Sequence, residues 1–136
     1  MIYVDANIIL DTMTDDPDWY EWSAAQLEAG RLSTGLVTGP IVAAEVGHYL
    51  ESAEVLEDTM ARLDIALMDV GFDAAWRAGQ AFRDYRGRGG DRVSLLSDFM
   101  IGAHASAIGA TMLTRDPRRF RSYFPDLALI TPEDSE

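Results

Sequence analysis

The sequence predicts an α/β fold: a central, mostly parallel sheet of four to five strands with helices on both faces. Three observations carry that expectation. Short apolar runs with β-branched residues alternate with longer stretches at helical spacing, the pattern of parallel strands joined by crossover helices. Residues 95–116, LLSDFMIGAHASAIGATMLTRD, are apolar nearly all round, and such a helix belongs inside a protein. The first run, Ile2-Tyr3-Val4, ends at an acid, Asp5, which sits where open α/β sheets bind ligands.

The totals narrow the class. A chain of 136 residues suits one domain with a real core, and a hydrophobic content of 48% excludes disorder as the default. There is no cysteine, so disulfides, thiolate metal sites and a cysteine nucleophile are excluded. The N-terminus reaches Asp5 after four apolar or aromatic residues, which is no signal peptide. No run approaches the roughly 18 apolar residues of a membrane span, so we expect a cytoplasmic protein with no membrane contact. The net charge of −12 argues against a general affinity for nucleic acid. All 11 basic residues are arginine, however, and eight fall in two groups. Arg83, Arg86, Arg88 and Arg92 precede Asp98, and Arg115, Arg118, Arg119 and Arg121 surround Asp116. They read either as phosphate contacts beside an acidic site or as partners of an acidic surface.

Taken in order, residues 2–4 form the first strand, and Asp5 caps a helix that starts with Ile8-Ile9-Leu10. Thr14-Asp15-Asp16-Pro17 breaks the chain. Residues 18–29 are an amphipathic helix that Gly30 ends. Residues 36–38 are a second strand, followed by Gly39 and by Pro40 in a first-turn position. Residues 41–50 are helical and carry Glu45 on the face of Ile41 and Tyr49. A carboxylate among apolar neighbours is costly unless paired or metal-bound. Residues 52–63 form another helix, 65–70 a third strand and 73–85 a further helix. The Gly-rich run at 87–92 is a flexible loop that lacks the P-loop pattern and stands as a candidate lid or substrate-contact loop. Ser97 is placed to cap the buried helix that Asp98 opens. Residues 110–114 form a late strand ending near Asp116-Pro117, residues 127–130 the last strand, and 133–136 an acidic tail. Glu45 and His48 have the E-x-x-H spacing of di-iron bundles, but no second copy exists. His48 reads as a surface residue, and His104 as a satisfied core histidine.

Each acid has a dull explanation as a cap or a turn residue. Together they are harder to dismiss. In a parallel sheet the carboxyl ends of strands and the starts of following helices share one edge, so Asp5, Glu45, Asp98 and Asp116 are candidates for one pocket. Two like charges about 6 Å apart repel by roughly 3 kcal/mol at an effective dielectric near 20. Four such groups need a cation, and all-oxygen ligation selects Mg²⁺ or Mn²⁺. The reaction natural to such a site is hydrolysis of a phosphodiester.

VDANIIL at the start, AAEV around Glu45, SDFMIGAHA at Asp98 and LTRDPRRFRSYFP at Asp116 resemble a PIN-domain ribonuclease, and more narrowly the VapC toxins of type II toxin–antitoxin systems. The resemblance runs nearly the full chain, residues 1–136. It implies a Mg²⁺-dependent endoribonuclease in which Asp5, Glu45, Asp98 and Asp116 are the catalytic, metal-binding quartet. It gives Asn7 and Thr114 supporting places. It implies action on structured RNA such as tRNA, a homodimer, and neutralisation by a cognate antitoxin that often presses an arginine against the acidic pocket. Arg118 and Arg119 are the expected substrate contacts. Two positions depart from the family pattern. Ser97 stands where many relatives have Pro. Many relatives also read Thr-x-Asn-x-x-Asp at the last site, where this chain has Thr114-x-Asp116-x-x-Arg119.

Two rival readings remain beside it. A phosphatase of the haloacid-dehalogenase type also starts with a strand ending in Asp, but it wants D-x-D and a lysine. This chain offers Asp5-Ala6-Asn7 and has no lysine. The other rival is a PIN-like fold that only binds a partner.

Overall fold

The computed structural model describes residues 1–135. Five strands form one sheet: β1 (Ile2–Val4), β2 (Leu36–Thr38), β3 (Ile65–Leu67), β4 (Thr111–Leu113) and β5 (Leu129–Ile130). Their order is β3-β2-β1-β4-β5, and every pairing is parallel. The expected sheet is therefore present, with five strands, all parallel, among the described residues. The chain steps outward from β1 through β2 to β3, then returns to the far side of β1 for β4 and β5. Right-handed crossovers running in opposite directions send their helices to opposite faces.

The first two crossovers are α1 (Ala6–Met13) with α2 (Tyr20–Leu32), and α3 (Pro40–Gly47) with α4 (Ala53–Arg62). The return crossover is α5 (Phe72–Gly87) and α6 (Leu95–Ala107), and the short α7 (Arg118–Arg121) precedes β5. Buried residues of β1, β2 and β4 join Ile8, Ile9, Val42, Val46, Ile101 and Ala105 in the main core. A second cluster of Ala78, Ala81, Phe99 and Ala103 welds α5 to α6. As its apolar pattern demands, α6 is buried on several sides: residues 101–105 are all covered. None of the described helices is long and apolar enough to cross a membrane.

Several boundaries differ from expectation, each for a local reason. The Asp16 carboxylate accepts from the backbone N–H of Asp18 and of Trp19, both at 2.9 Å, and α2 starts only at Tyr20. Gly30 does not end α2. It is buried within the helix, and a Cβ there would stand 2.7 Å from Leu36, so its lack of a side chain lets α2 lie against β2. The third helix stops at Gly47 rather than at residue 50. β3 is shorter than the predicted 65–70, because Met68 N–H donates to Thr38, the last residue of its only partner strand. β4 and β5 are each trimmed in the same way. Ser97 is not the cap of α6: the helix begins at Leu95, and the Ser97 hydroxyl donates back to the Ser94 carbonyl. Asp98 lies in the first turn rather than opening it. The Gly-rich loop folds back on α5, with Arg92 N–H donating to the Tyr85 hydroxyl and Gly90 N–H to the Tyr85 carbonyl, both at 2.9 Å. Of the expected acidic tail, Pro132–Ser135 form a 3₁₀ turn, and Glu136 lies outside the described residues.

Candidate functional site

The site grows from the last residues of β1 and β4. Asp5 N–H still donates to the Leu113 carbonyl at 3.0 Å, so the sheet itself fixes the Asp5 backbone. Its side chain is fully buried and caps α1: Oδ1 accepts from Ala6 N–H at 2.8 Å. Oδ2 accepts from the Thr114 hydroxyl at 2.7 Å. Thr114 in turn accepts from Asp116 N–H at 3.1 Å, so one buried hydroxyl ties the turn after β4 to the acid after β1. On the other side, the Thr38 hydroxyl donates to the Val4 carbonyl at 2.9 Å and ties β2 to the same edge.

Glu45 and Asp98 reach this edge from α3 and α6. Pro40 at N1 starts α3 directly after β2, which brings Glu45 to the pocket half-buried. Burial pushes the Glu45 carboxyl above its ordinary value; Arg119 pulls it down, and the charges of Asp5 and Asp98 add to the rise. Three of the predicted acids therefore act on one another electrostatically. Asp116 meets one of them, Asp98, across a cleft of about 560 Å³ that Arg92, Arg118 and Arg119 also line. Asn7 and Asp116 share a neighbouring cleft of about 510 Å³, and Asn7 Oδ1 and Asp116 Oδ1 are buried there without a hydrogen bond. Arg118 Nε stands 3.6 Å from that Asp116 oxygen, too far to satisfy it.

Arg119, an expected substrate contact, points inward. Its side chain is 20% exposed and enters the acid pocket. Nη1 donates to Asp5 Oδ2 at 2.9 Å and Nε to Asp98 Oδ1 at 3.1 Å, while Nη2 also bonds Asp98 Oδ1. Burial alone disfavours its charge, but Asp5, Asp98 and Glu45 outweigh that and raise its pKa. Its position follows from the next residue. Phe120 is fully buried, and α7 lies close over Gly102 of α6, where any Cβ would meet Phe124 at 2.6 Å and Phe120 at 3.1 Å. Arg118, one residue before, is 92% exposed at the rim.

The donor set suits a hard divalent ion in kind, since every donor is oxygen and two buried oxygens lack partners. In placement it is not assembled. Among the described residues no three acidic or histidine side chains are grouped as a metal site. A guanidinium bridges two of the candidate ligands, Asp5 and Asp98.

Two further features were not foreseen. Arg115 borders the cleft shared by Asn7, Asp116 and Arg118, but its guanidinium is committed elsewhere. It makes a two-pronged pair with Asp11 at 2.8 and 2.9 Å, and lies over the Trp19 ring. Asp11 is buried on the inner face of α1, three residues after Ile8, and that spacing is the signal that marks it. Tyr3 is buried under the acids and its hydroxyl meets His104 Nδ1 at 2.9 Å. His104 Nε2 lies 3.0 Å from the Asp69 carbonyl, which only accepts, so Nε2 carries the proton and Tyr3 donates to Nδ1. Burial lowers the His104 pKa, against the Asp69 carbonyl and charge, and favours this neutral form. Gly39 makes room for the pair: a Cβ there would stand 2.3 Å from the Tyr3 oxygen. His104 is thus the satisfied core histidine that its setting predicted, and His48 is exposed.

The sequence model of the PIN domain matches residues 2–124. Comparison with curated proteins gave no match. Among solved structures, the chain is similar to VapBC2 from Rickettsia felis bound to a DNA fragment from their promoter. That match has 21% identity and a TM-score of 0.71, and covers 96% of this chain and 98% of the other. FitAcB from Neisseria gonorrhoeae matches with 23% identity and a TM-score of 0.67, covering 98% and 99%. A toxin–antitoxin complex from Klebsiella pneumoniae matches with 19% identity and a TM-score of 0.70, covering 97% and 98%. At these identities the likeness speaks to the fold.

Proposed function

The chain belongs to the PIN-domain family, and from that premise we propose that it is a Mg²⁺-dependent endoribonuclease, a VapC-like toxin acting on structured RNA such as tRNA. The observation that carries the reading is the convergence of three acids from separate elements on one guanidinium: Asp5 after β1, Glu45 on α3 and Asp98 on α6. Asp116 joins them through its cleft and through Thr114. Asp5, Glu45, Asp98 and Asp116 would hold the metal ion, with Mn²⁺ as an alternative to Mg²⁺. When bound, the ion supplies charge stabilisation to phosphoryl oxygens and makes a water more acidic. The chain's own groups do the rest. Thr114 and the Ala6 N–H hold the Asp5 carboxylate in one orientation. Asn7 offers a buried oxygen beside Asp116. Arg118, exposed at the rim of both clefts, is placed to meet a phosphate of the RNA.

The partners follow from the same reading: a cognate antitoxin, as in the similar toxin–antitoxin complexes, and a second copy of the chain as a homodimer in the cytoplasm. An acidic toxin with a net charge of −12 suits a more basic antitoxin. One observation favours the non-catalytic alternative, a PIN fold that only binds a partner: Arg119 stands inside the acid pocket. A cleavage assay on structured RNA separates the two. We expect cutting in excess Mn²⁺, loss of cutting on chelation, and loss in Asp98→Ala or Asp5→Ala variants that keep the native circular dichroism. Wild-type rates in either folded variant would refute the assignment, and no cutting by the unaltered chain at any Mn²⁺ level would leave the binding module. Turnover of a small phosphomonoester would instead revive the phosphatase.

A further inference from the structure

We propose that Arg119 is a tethered counter-cation that competes with the divalent ion for the acid site, so that the ion gains its place only as the guanidinium leaves. The proposal rests on the reading of these acids as metal ligands. It goes beyond that reading by giving the site a resident occupant from its own chain.

Three features argue for it. First, the guanidinium consumes ligand atoms. Asp5 Oδ1 is taken by Ala6 N–H, and Oδ2 accepts from both Thr114 and Arg119. Asp98 Oδ1 receives two guanidinium nitrogens. An ion bonding these oxygens would face the guanidinium as a second cation at close range, and like charges in a sheltered site repel strongly. The two occupants therefore exclude each other. Second, Arg119 is inside the site while its neighbour Arg118 is outside, at 20% against 92% exposure. This is a built position and not a surface arginine that happens to lie near. Third, the arginine borders open space, since it lines the cleft of about 560 Å³ beside Asp98 and Asp116. Phe120 anchors the backbone of α7 in the core, and the Arg119 head lies 5.3 Å from the Phe120 ring centre at the end of a long flexible stem. Rotation of the side chain into that cleft would empty the site and leave the freed charge beside Arg92 and Arg118, which line it too.

The charge balance shows why the site does not simply settle with Arg119. Asp5 and Asp98 bond the same guanidinium, so two carboxylates share one positive charge, with Glu45 near enough to act on it. A divalent ion offers more positive charge in a smaller volume, so the arginine is a partial substitute that stronger competition displaces.

The test compares Mn²⁺ binding by calorimetry, at low ionic strength, between the unaltered chain and Arg119→Met, which keeps an unbranched stem against Phe120. We expect Arg119→Met to bind Mn²⁺ about tenfold more tightly or better, because its site is no longer withheld by a competing state. In chelator the same variant should melt below the unaltered chain, and Mn²⁺ should restore it. Equal or weaker binding by folded Arg119→Met overturns the proposal but leaves the metal site standing. No Mn²⁺ binding by either form overturns both. Should Arg119→Met fail to fold, the unaltered chain gives the answer through its Arg119 Nε–H resonance. Saturating Mg²⁺ should shift that resonance and speed its exchange with water; a resonance that stays in place overturns the proposal. Neither arm reads RNA cleavage, so tighter binding without cutting would sink the nuclease reading alone.

Discussion

Two buried aspartates on the first 11 residues meet two arginines from the same late segment, and the outcomes differ. Asp11, 3% exposed, takes Arg115 in a two-pronged pair and a hydroxyl from Ser23 at 2.6 Å. One negative charge faces one positive charge, and the carboxylate's oxygens are satisfied. Asp5, fully buried, must share Arg119 with Asp98 and Glu45, and nearby oxygens of Asn7 and Asp116 accept no hydrogen bond, the latter facing Arg118 at 3.6 Å. A balanced pair with matched geometry is a fastening: it joins α1, α2 and the turn after β4. An unbalanced group with spare acceptors has capacity left over, and that capacity is what a binding site needs. The difference teaches that burial of a carboxylate is by itself a poor guide to function. The count of charges around it is the better one.

Breaking the fastening gives the largest expected effect. Arg115→Ala leaves the buried Asp11 charge to the Ser23 hydroxyl and should cost about 3 kcal/mol of stability, read from urea denaturation. Its Mn²⁺ affinity should stay that of the unaltered chain. A large change in metal binding with no loss of stability would dissolve the distinction between the two regions. Loosening the other side acts on binding instead. Thr114→Val removes the hydroxyl that orients Asp5 and should weaken Mn²⁺ binding by about 10–100-fold. Native affinity in that variant would show that the sheet alone orients the acid.

The smallest effect sharpens the charge argument. The Glu45 carboxyl is raised in the folded protein, mainly by burial. Its contribution to stability is therefore fully present where the group is protonated in both states, and is lost as pH rises through the raised folded value. Glu45→Gln should accordingly raise the melting temperature of the metal-free protein by about 2 °C at neutral pH. The gain should vanish below the ordinary glutamate value of about 4.3. A gain that persists in acid, or a loss at neutral pH, would mean that Glu45 is not part of an over-charged group.

Much of this was legible from residue order. Runs 2–4 and 36–38 are short, β-branched and bounded by turn residues, and they form β1 and β2 as read. Asp5, Glu45, Asp98 and Asp116 were singled out as candidates because a parallel sheet maps strand ends to one edge, so position along the chain bears on position in space. The inward course of Arg119 was not legible because no such rule covers it. Whether a cation near an acid points outward or inward depends on how Phe120 seats against α6, a contact between residues that no local pattern links. The Asp11–Arg115 pair was missed for the same reason: its members are 104 residues apart. Strand ends were read too long where the partner strand ran out first, since a ladder is only as long as its shorter side.

That the occupant of the pocket is a guanidinium has one more implication. A lysine stranded among shifting charges sheds its proton and falls silent, whereas arginine in a protein keeps its charge at every pH that cells reach. With no lysine in the chain, such an escape is closed here. The plug has no titratable off position, so it yields to rival ions in proportion to their abundance, as a rheostat does and a toggle does not.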